Sequence, residues 1–566
     1  MKINNLRNII EKLSELDKPS EKALFKLLHE NTKENGDLYS KSEILEQIGK
    51  INNPKYSRII PYIKMKSTRT ISGVTPVTVL TKPFACPGKC IFCPNDVRMP
   101  KSYLSDEPGA QRAFKNKFDP YAQTFNRLLA YKNIGHPTDK IELIILGGTW
   151  TSYPKTYQIW FIKRCFDAMN DFKNANDTTY RSKLDIPYKE KSLHEINGEN
   201  ITDSYNLVVS KAMNKEQSKK ESTTWDELFL AQKQNENEKT RCIGLVIETR
   251  PDEITKDEVI NIRKLGATKV QIGFQSLNDK VLELNNRGHE VNTTRNAVKL
   301  LRQAGFKIHA HWMPNLYGSN PKADVSDFKK MFSDSDFMPD ELKIYPCSLI
   351  QSAELMQYYK KSLWKPYTFE ELSYVLEECY KLTPEYCRIT RMIRDIGSHD
   401  IVTGNKKTNF RQIVETNLKK QKAKINEIRY REIRGKTVDS SKLTIKETKY
   451  ETSVSTEYFL EYVTNENKIA GFLRLSIPKI SNYIDELKNA AIIREVHIYG
   501  QSIKIGQKDQ GKAQHLGLGK NLIKLAKQIT KEKEFDKLAV ISSIGTREYY
   551  KKQGFELKEL YQISKV

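Results

Sequence analysis

Cys86, Cys90 and Cys93 stand in the run CPGKCIFC, a C-x3-C-x2-C spacing. With eight cysteines in 566 residues, chance yields such a triplet roughly once or twice in a thousand comparable chains. Three thiolates on one short loop can bind three irons of a cubane 4Fe-4S cluster and leave the fourth iron open to a substrate or cofactor. A zinc knuckle is the plainer alternative. It takes a fourth protein ligand, and no further Cys or His follows closely enough to supply one. The other cysteines (Cys165, Cys242, Cys347, Cys379 and Cys387) sit among apolar neighbours and read as buried thiols.

The elements that must hold this loop are legible as a change of period. Residues 1 to about 72 carry Leu and Ile at helical spacing (Ile9, Ile10, Leu13, Leu16, then Leu24, Leu27, Leu28). From about 73 to 395, short apolar runs alternate with amphipathic stretches. The runs are IELIILGG (141–148), RCIGLVIET (241–249), KVQIGFQS (269–276), FKIHAHWMP (306–314) and ELKIYP (341–346). This alternation predicts parallel βαβ units in an α/β barrel or partial barrel, with the chemistry at the C-terminal strand ends. Residues of about 173–239 read as a polar insertion. A basic connector covers 396–439, and a small α+β domain is expected over 440–566.

Composition narrows the function classes. A hydrophobic share of 38% with 10% aromatics supports packed cores. No apolar run nears the ~18 residues of a membrane helix, and the charged N-terminus lacks a signal-peptide core. A cytoplasmic protein with reduced thiols and no membrane partner is the expectation. Lys and Arg number 94 against 70 Asp and Glu, a net charge of +24. Eight of these bases and no acid fall between Gln47 and Asn95; eleven bases and three acids fall between Asn405 and Lys436. Segregation of this kind points to a polyanionic partner gripped through phosphates. Lys64, Lys66, Arg69, Lys406 and Lys407 are the candidate contacts.

With these residues in view, the chain resembles the radical S-adenosylmethionine (SAM) superfamily, whose partial barrel carries this cysteine triplet after its first strand. The resemblance implies a 4Fe-4S cluster on Cys86, Cys90 and Cys93. It implies a SAM site from Gly147, Gly148 and Thr149 of LGGTW, Glu248 and Arg250 of IETRPD, and Gln275 of GFQS. The two glycines permit the close backbone approach such a site needs.

The last domain is similar to GCN5-type acetyltransferases. Its strand IREVHIYG (493–500) offers backbone at Glu495, Val496, His497 and Ile498 to a pantetheine arm. QHLGLGK (514–520) then provides Gln514, Gly517, Leu518, Gly519 and Lys520 at a helix start that can cradle a pyrophosphate. Tyr549 and Tyr550, in TREYYKKQGFEL, fall where such domains place a tyrosine near the thioester.

A radical SAM barrel joined to such a domain resembles the family of the Elongator catalytic subunit and its single-chain prokaryotic relatives. The match runs from about Lys64 through DEPGAQRAFKNKFDPYAQTFNRL (106–128), QIGFQSLNDKVLELNNRGH (271–289), PDELKIYP (339–346) and RMIRDI (391–396). It implies carboxymethylation of carbon 5 of a tRNA wobble uridine. A 5′-deoxyadenosyl radical would activate the methyl of acetyl-CoA, an electron donor would feed the cluster, and the anticodon stem-loop would bind the basic segments. It also implies Lys140 at acetyl-CoA, and it places Lys343 in the barrel mouth, where it can meet tRNA or assist thioester cleavage. Two departures stand out. The connector AKINEIRYREIRG (423–435) has no cysteine where the family commonly carries a zinc site, so no zinc is expected. The short spacing of the first two cluster cysteines points to an enzyme working without accessory Elongator subunits. The competing reading is a protein lysine acetyltransferase with a structural iron–sulfur domain, with Glu495 as the one available base.

Overall fold

The computed structural model describes residues 2–51, 53–65, 70–172, 201–212, 220–434, 439–499 and 517–566. Helices Lys2–Glu15, Glu21–Glu30 and Lys41–Ile51 form an N-terminal unit with a core of its own, including Ile9, Leu13, Leu24, Leu28, Ile44 and Ile48. Ser20 caps the second helix by accepting from the Ala23 amide at 3.1 Å. The unit meets the rest of the chain where Leu45 and Ile60 pack against Gly135, and where the Thr70 hydroxyl bonds His136 Nδ1 at 2.7 Å.

Seven parallel strands then make an open sheet: β1 (Val74–Leu80), β2 (Lys140–Leu146), β3 (Arg241–Thr249), β4 (Lys269–Gln275), β5 (Lys307–Trp312), β6 (Glu341–Ile344) and β8 (Arg388–Arg391), in that spatial order. β1 and β8 do not pair, so the barrel is partial, as expected. Its convex side is apolar: Ile141, Leu143 and Ile145 of β2 alternate into the main core beneath helices Pro120–Asn133 and Lys155–Asp171. The concave side carries the other set of each strand, a period-2 division. Of the expected insertion, the described parts are 201–212 and 220–239, which hold helices Ile201–Ala212 and Trp225–Asn235.

Two short strands, β7 (Leu349–Ile350) and β9 (Ile401–Thr403), pair across the start of the connector. The junction without cysteines is held by charge. Glu427 is buried and accepts from Arg411 at 3.3 Å and from the Ile389 and Arg429 amides. Arg431 pairs with Glu461 of the last domain at 2.9 Å.

That domain is one mixed sheet of β10 (Thr444–Glu451), β11 (Ser455–Val463), β12 (Ile469–Pro478), β13 (Ala490–Ile498), β14 (Lys537–Val540), β15 (Glu556–Leu557) and β16 (Gln562–Lys565). β13 pairs in parallel with β14 only over Ala490–Ile493, because β14 ends at Val540 while β13 runs on to Ile498. The register between β12 and β13 slips at Arg474/Leu475, leaving Arg494 unpaired. This bulge lets consecutive residues, Arg494 and Glu495, both turn toward the barrel.

The domain closes the N-terminal ends of the barrel strands. Asp340, just before β6, accepts both Arg494 Nη atoms at 2.7 Å and lies 3.3 Å from Arg474. Burial alone would raise the Asp340 carboxyl, yet Arg494 and Arg474 hold it well below its usual range. Ser543 donates to the Cys242 carbonyl at 2.8 Å, and Tyr561 to the Ala304 carbonyl at 2.8 Å. Asp340→Ala removes the carboxylate shared by two buried arginines, leaving Arg494 with Glu457 alone and Arg474 with Glu495 alone, and should cost about 3–5 kcal/mol. The loss should be read as faster amide exchange in β5, β6 and β13, with Asp340→Asn milder.

Candidate functional site

A cavity of about 870 Å³ opens at the C-terminal ends of the barrel strands. Cys86, Cys90 and Cys93 line it from the loop after β1, and Gly147, Gly148, Thr149, Glu248, Arg250, Gln275 and Lys343 line it from the ends of β2, β3, β4 and β6. The sequence-derived barrel residues are thus brought together. The loop is pinned at three points: Asn206 bonds both backbone groups of Cys86, the Ile91 amide donates to the Asn285 carbonyl at 3.2 Å, and the Leu355 amide donates to the Ile91 carbonyl at 2.8 Å.

Two guanidinium groups face the loop from inside. Arg287 Nη1 lies 3.5 Å and Arg250 Nη1 3.8 Å from Cys90 Sγ. Cys93 hydrogen-bonds Cys90, and together with the two arginines it holds the Cys90 thiol well below its ordinary value. Hydrogen bonding to Cys90 and burial push Cys93 well above it. A loop of three thiols backed by cations suits an anionic metal–sulfur cluster. Arg250 is clamped by Asp252 (2.8 Å) and by the Arg287 carbonyl (2.6 Å). A Cβ at Gly88 would overlap its guanidinium, so Arg250 lies flat against the cysteine loop.

Both glycines of LGGTW are needed for space. A Cβ at Gly147 would overlap the Thr81 hydroxyl, and one at Gly148 would stand 3.0 Å from the Tyr153 hydroxyl, which accepts the Gly148 amide at 2.6 Å. The Thr149 hydroxyl approaches Cys86 Sγ at 3.7 Å. Gln275 takes φ +63° at the end of β4, and its Oε1 has no hydrogen-bond partner among the described residues. Burial raises the Glu248 carboxyl; Tyr103 Oη lies 3.5 Å from it and His311 Nδ1 3.8 Å. Lys343 donates to Gln271 and lies 5.9 Å over the Tyr345 ring.

The second cluster of expected residues lies at the other end of the barrel. Gly517, at φ +72°, begins helix Leu518–Glu532. A Cβ at Gly519 would meet the Tyr549 hydroxyl at 2.9 Å, Ile498 Cγ1 at 3.7 Å and Val496 Cγ1 at 4.0 Å. Val496, Ile498, Gly519 and Tyr549 therefore meet at one helix N-terminus, whose first-turn amides suit a phosphate. Leu518 is buried beside it and Lys520 exposed. Tyr550 turns the other way, edge-on to Phe555 at 5.8 Å and buried. Glu495 also leaves the cleft, pairing with Lys307 of β5 and Arg474. His497 stacks on Phe472. Lys140 begins β2, at this same lower end.

Of the basic candidates, Lys64 donates to Thr70 at 2.7 Å and is lowered by burial. Lys406 and Lys407 are exposed, Lys407 lying 4.1 Å over Phe369. Lys66, Arg69 and Gln514 lie outside the described residues. Sequence reasoning passed over Gly88, Tyr103, Arg287, His311 and Arg394, all lining the cavity. The alternation KIHAHW was the available signal for His309 and His311 on one face of β5.

A cysteine-loop partial barrel closed by an acetyltransferase-like sheet defines a radical SAM protein, and the comparisons agree. Residues 220–328 match the model of the Radical SAM superfamily and residues 339–420 that of the Radical_SAM C-terminal domain. The tRNA uridine(34) acetyltransferase of Methanocaldococcus infernus is 37% identical over 88% of this chain and 86% of its own. That of Dehalococcoides mccartyi is 36% identical over 87% of this chain and 97% of its own. The solved structure of the archaeal M. infernus Elp3 lacking residues 1–46 superposes with a TM-score of 0.69 at 34% identity, covering 88% of this chain and all of that one. The chain belongs to the Elp3 family of radical SAM proteins. Membership implies a 4Fe-4S cluster and SAM. Among the described residues, no helix is long and apolar enough to cross a membrane.

Two outcomes follow from this geometry. Gly147→Ala displaces Thr81 and should weaken SAM binding about tenfold or more, measured by equilibrium dialysis, whereas Gly49→Ala, away from the cavity and with nothing within 4 Å of the new methyl, should leave it unchanged. Because the Glu248 carboxyl is raised above the usual 4.5, its ionisation opposes folding as pH rises through the folded value. Glu248→Gln should therefore melt higher than the parent at pH 7, and this advantage should vanish below the ordinary carboxylate range.

Proposed function

We propose that the protein adds a carboxymethyl group to carbon 5 of the wobble uridine of tRNA, with acetyl-CoA as carbon donor and SAM as radical source. The observation that carries this reading is the pairing of two sites on one barrel. Three thiols and a glycine-lined cavity stand at one end, and a helix start against the unpaired end of β13 stands at the other. The relatives named tRNA uridine(34) acetyltransferase supply the substrate class.

Cys86, Cys90 and Cys93 would hold the cluster, which when bound supplies the electron for reductive cleavage of SAM. Gly147 and Gly148 let the amino-acid end of SAM approach the backbone, while Glu248 and Gln275 reach its polar groups. Arg250 acts on the cysteine loop as well, neutralising charge beside Cys90. At the lower end, the amides from Gly517 to Lys520 would take the pyrophosphate of acetyl-CoA and the β13 backbone its pantetheine arm. Tyr549 is the tyrosine that faces the thioester cleft. Lys343, at the cavity wall, is placed to meet the uridine or its phosphate. The basic residues Lys64, Lys66, Arg69, Lys406 and Lys407 would position the anticodon stem-loop without reading sequence, and the target base would leave its stack to enter the cavity. Closure of the barrel floor by the last domain excludes water from the reacting centre.

A protein lysine acetyltransferase needs a free base on β13. Glu495 is not free: it is 10% exposed and tied to both Lys307 and Arg474.

Anaerobically reconstituted protein with SAM, reductant, acetyl-CoA and tRNA should yield 5-carboxymethyluridine together with 5′-deoxyadenosine by nucleoside mass spectrometry. The Cys90→Ala/Cys93→Ala double variant should lose iron and both products while still binding acetyl-CoA. Protein acetylation that survives in this variant, with no uridine product from the parent, would overturn the reading.

A further inference from the structure

The barrel interior is not filled by the apolar layers usual in βα barrels. Its lower half is a ladder of charges. Lys269 of β4 reaches Glu142 of β2 at 2.7 Å and Glu341 of β6 at 3.0 Å. Lys307 of β5 reaches Glu341 at 3.3 Å and, across the domain boundary, Glu495 of β13. To meet Glu142, Lys269 crosses the face of β3, and there the chain has Gly244. No left-handed backbone requires this glycine, and a Cβ on it would lie 3.5 Å from Glu142 Cγ. What the glycine provides is an unfilled gap in the wall. Glu142 keeps 29% of its side-chain surface accessible inside the concavity.

The acyl cleft abuts this ladder. β13 is the partition: Val496 and Ile498 face Gly519 and Tyr549, while Glu495, on the opposite face, ends the ladder. The unpaired end of β13 after Ile493 lies over the N-terminal strand ends, as Glu495 and its partner Lys307 show. β13 contacts β5 through Lys307, and the turn after β14 contacts β3, where a Cβ on Gly545 would stand 2.7 Å from the Arg241 Cβ. Above the ladder stand His311 and Lys343 of the cavity wall, and the His309 and His311 rings, 5.6 Å apart, lie between the two levels.

We propose that the acyl end of the thioester enters the barrel along its axis, through the floor beside Gly244 and Glu142, and that Lys307 is the positioning residue that opens this passage by exchanging its partner Glu495. Burying four or five charges in a barrel core is costly unless every one is paired. A ladder able to re-pair around a small polar guest gives those charges a use that an apolar filling would not. The passage would select for short acyl groups, since a long chain would have to lie against the carboxylates of Glu142 and Glu341.

This inference rests on the function proposed above, and two measurements separate the two. Gly244→Val fills the gap without touching either site. Product should fall about a hundredfold, while acetyl-CoA affinity by calorimetric titration and 5′-deoxyadenosine release without tRNA hold at parent levels. Gly244→Ala should fall between the two and serves as the folding control. The second measurement uses a short diazirine-bearing acyl-CoA, photolysed on the full chain with no cluster turnover. Label should appear in peptides holding 241–249 and 307–312, and Lys307→Met should shift its distribution. Label confined to residues 440–566, or full product from Gly244→Val, overturns the passage. A parent that makes no carboxymethyluridine overturns the function instead, and the labelling pattern still decides the passage.

Discussion

Asp340 joins what the two halves of the molecule have in common. It is fully buried, it precedes β6 of the barrel, and it accepts from Arg494 on β13 and faces Arg474 on β12. It also receives the Ile308 amide at 2.9 Å, so the same carboxylate orders the start of β5. Charges sealed from water are tolerated only when each has an opposite partner and saturated hydrogen bonds. That demand sets the orientation of the last domain: the arginines reach Asp340 only if the bulge at Arg494 sits directly beneath β6. The cleft formed by Val496, Ile498 and Gly519 inherits its position from this requirement.

The same logic runs upward through the molecule. Parallel strands bury their convex faces in Ile, Leu and Val, which leaves polar choices to the concave face. Here those choices are consistent from floor to mouth: Lys307, His309 and His311 on one strand, Glu341 and Lys343 on the next. The cysteine loop depends on that polar interior too. Arg287 and Arg250 reach Cys90 from within, and Arg287 is itself held by the Gly273 carbonyl at 2.9 Å. Electrostatic support for the upper site is therefore built from strand ends and the segments following them, and not from the loop alone.

How much of this can be read from the chain depends on sequence distance. β2 to β6 are legible because buried parallel strands leave near-continuous apolar runs. β8 is not: Arg388-Ile-Thr-Arg391 is four residues with a polar inner face, indistinguishable from a loop. The cysteine triplet, the paired glycines and Glu248 declare themselves by type and spacing. Asp340 and Arg494 do not, since 154 residues separate the partners. The choice between Tyr549 and Tyr550 is likewise invisible in the sequence, because a five-residue helix, Arg547–Lys551, decides which ring meets Gly519 and which meets Phe555. Gly244 reads as a strand glycine of no special character until Lys269 is seen crossing over it.

The N-terminal helices have their own core, and among the described residues they meet the barrel at Gly135 and at His136, which bonds both the Thr70 hydroxyl and the Met65 carbonyl. Segments with separate cores open and reclose with separate free energies. A separate core means that loosening this unit need not loosen the barrel or its floor. To any partner held at both ends, it behaves as a clasp with an independent rate of release. Residence time on such a partner would be set by the helical unit, and the geometry of the reacting centre by the barrel, so each can vary without disturbing the other.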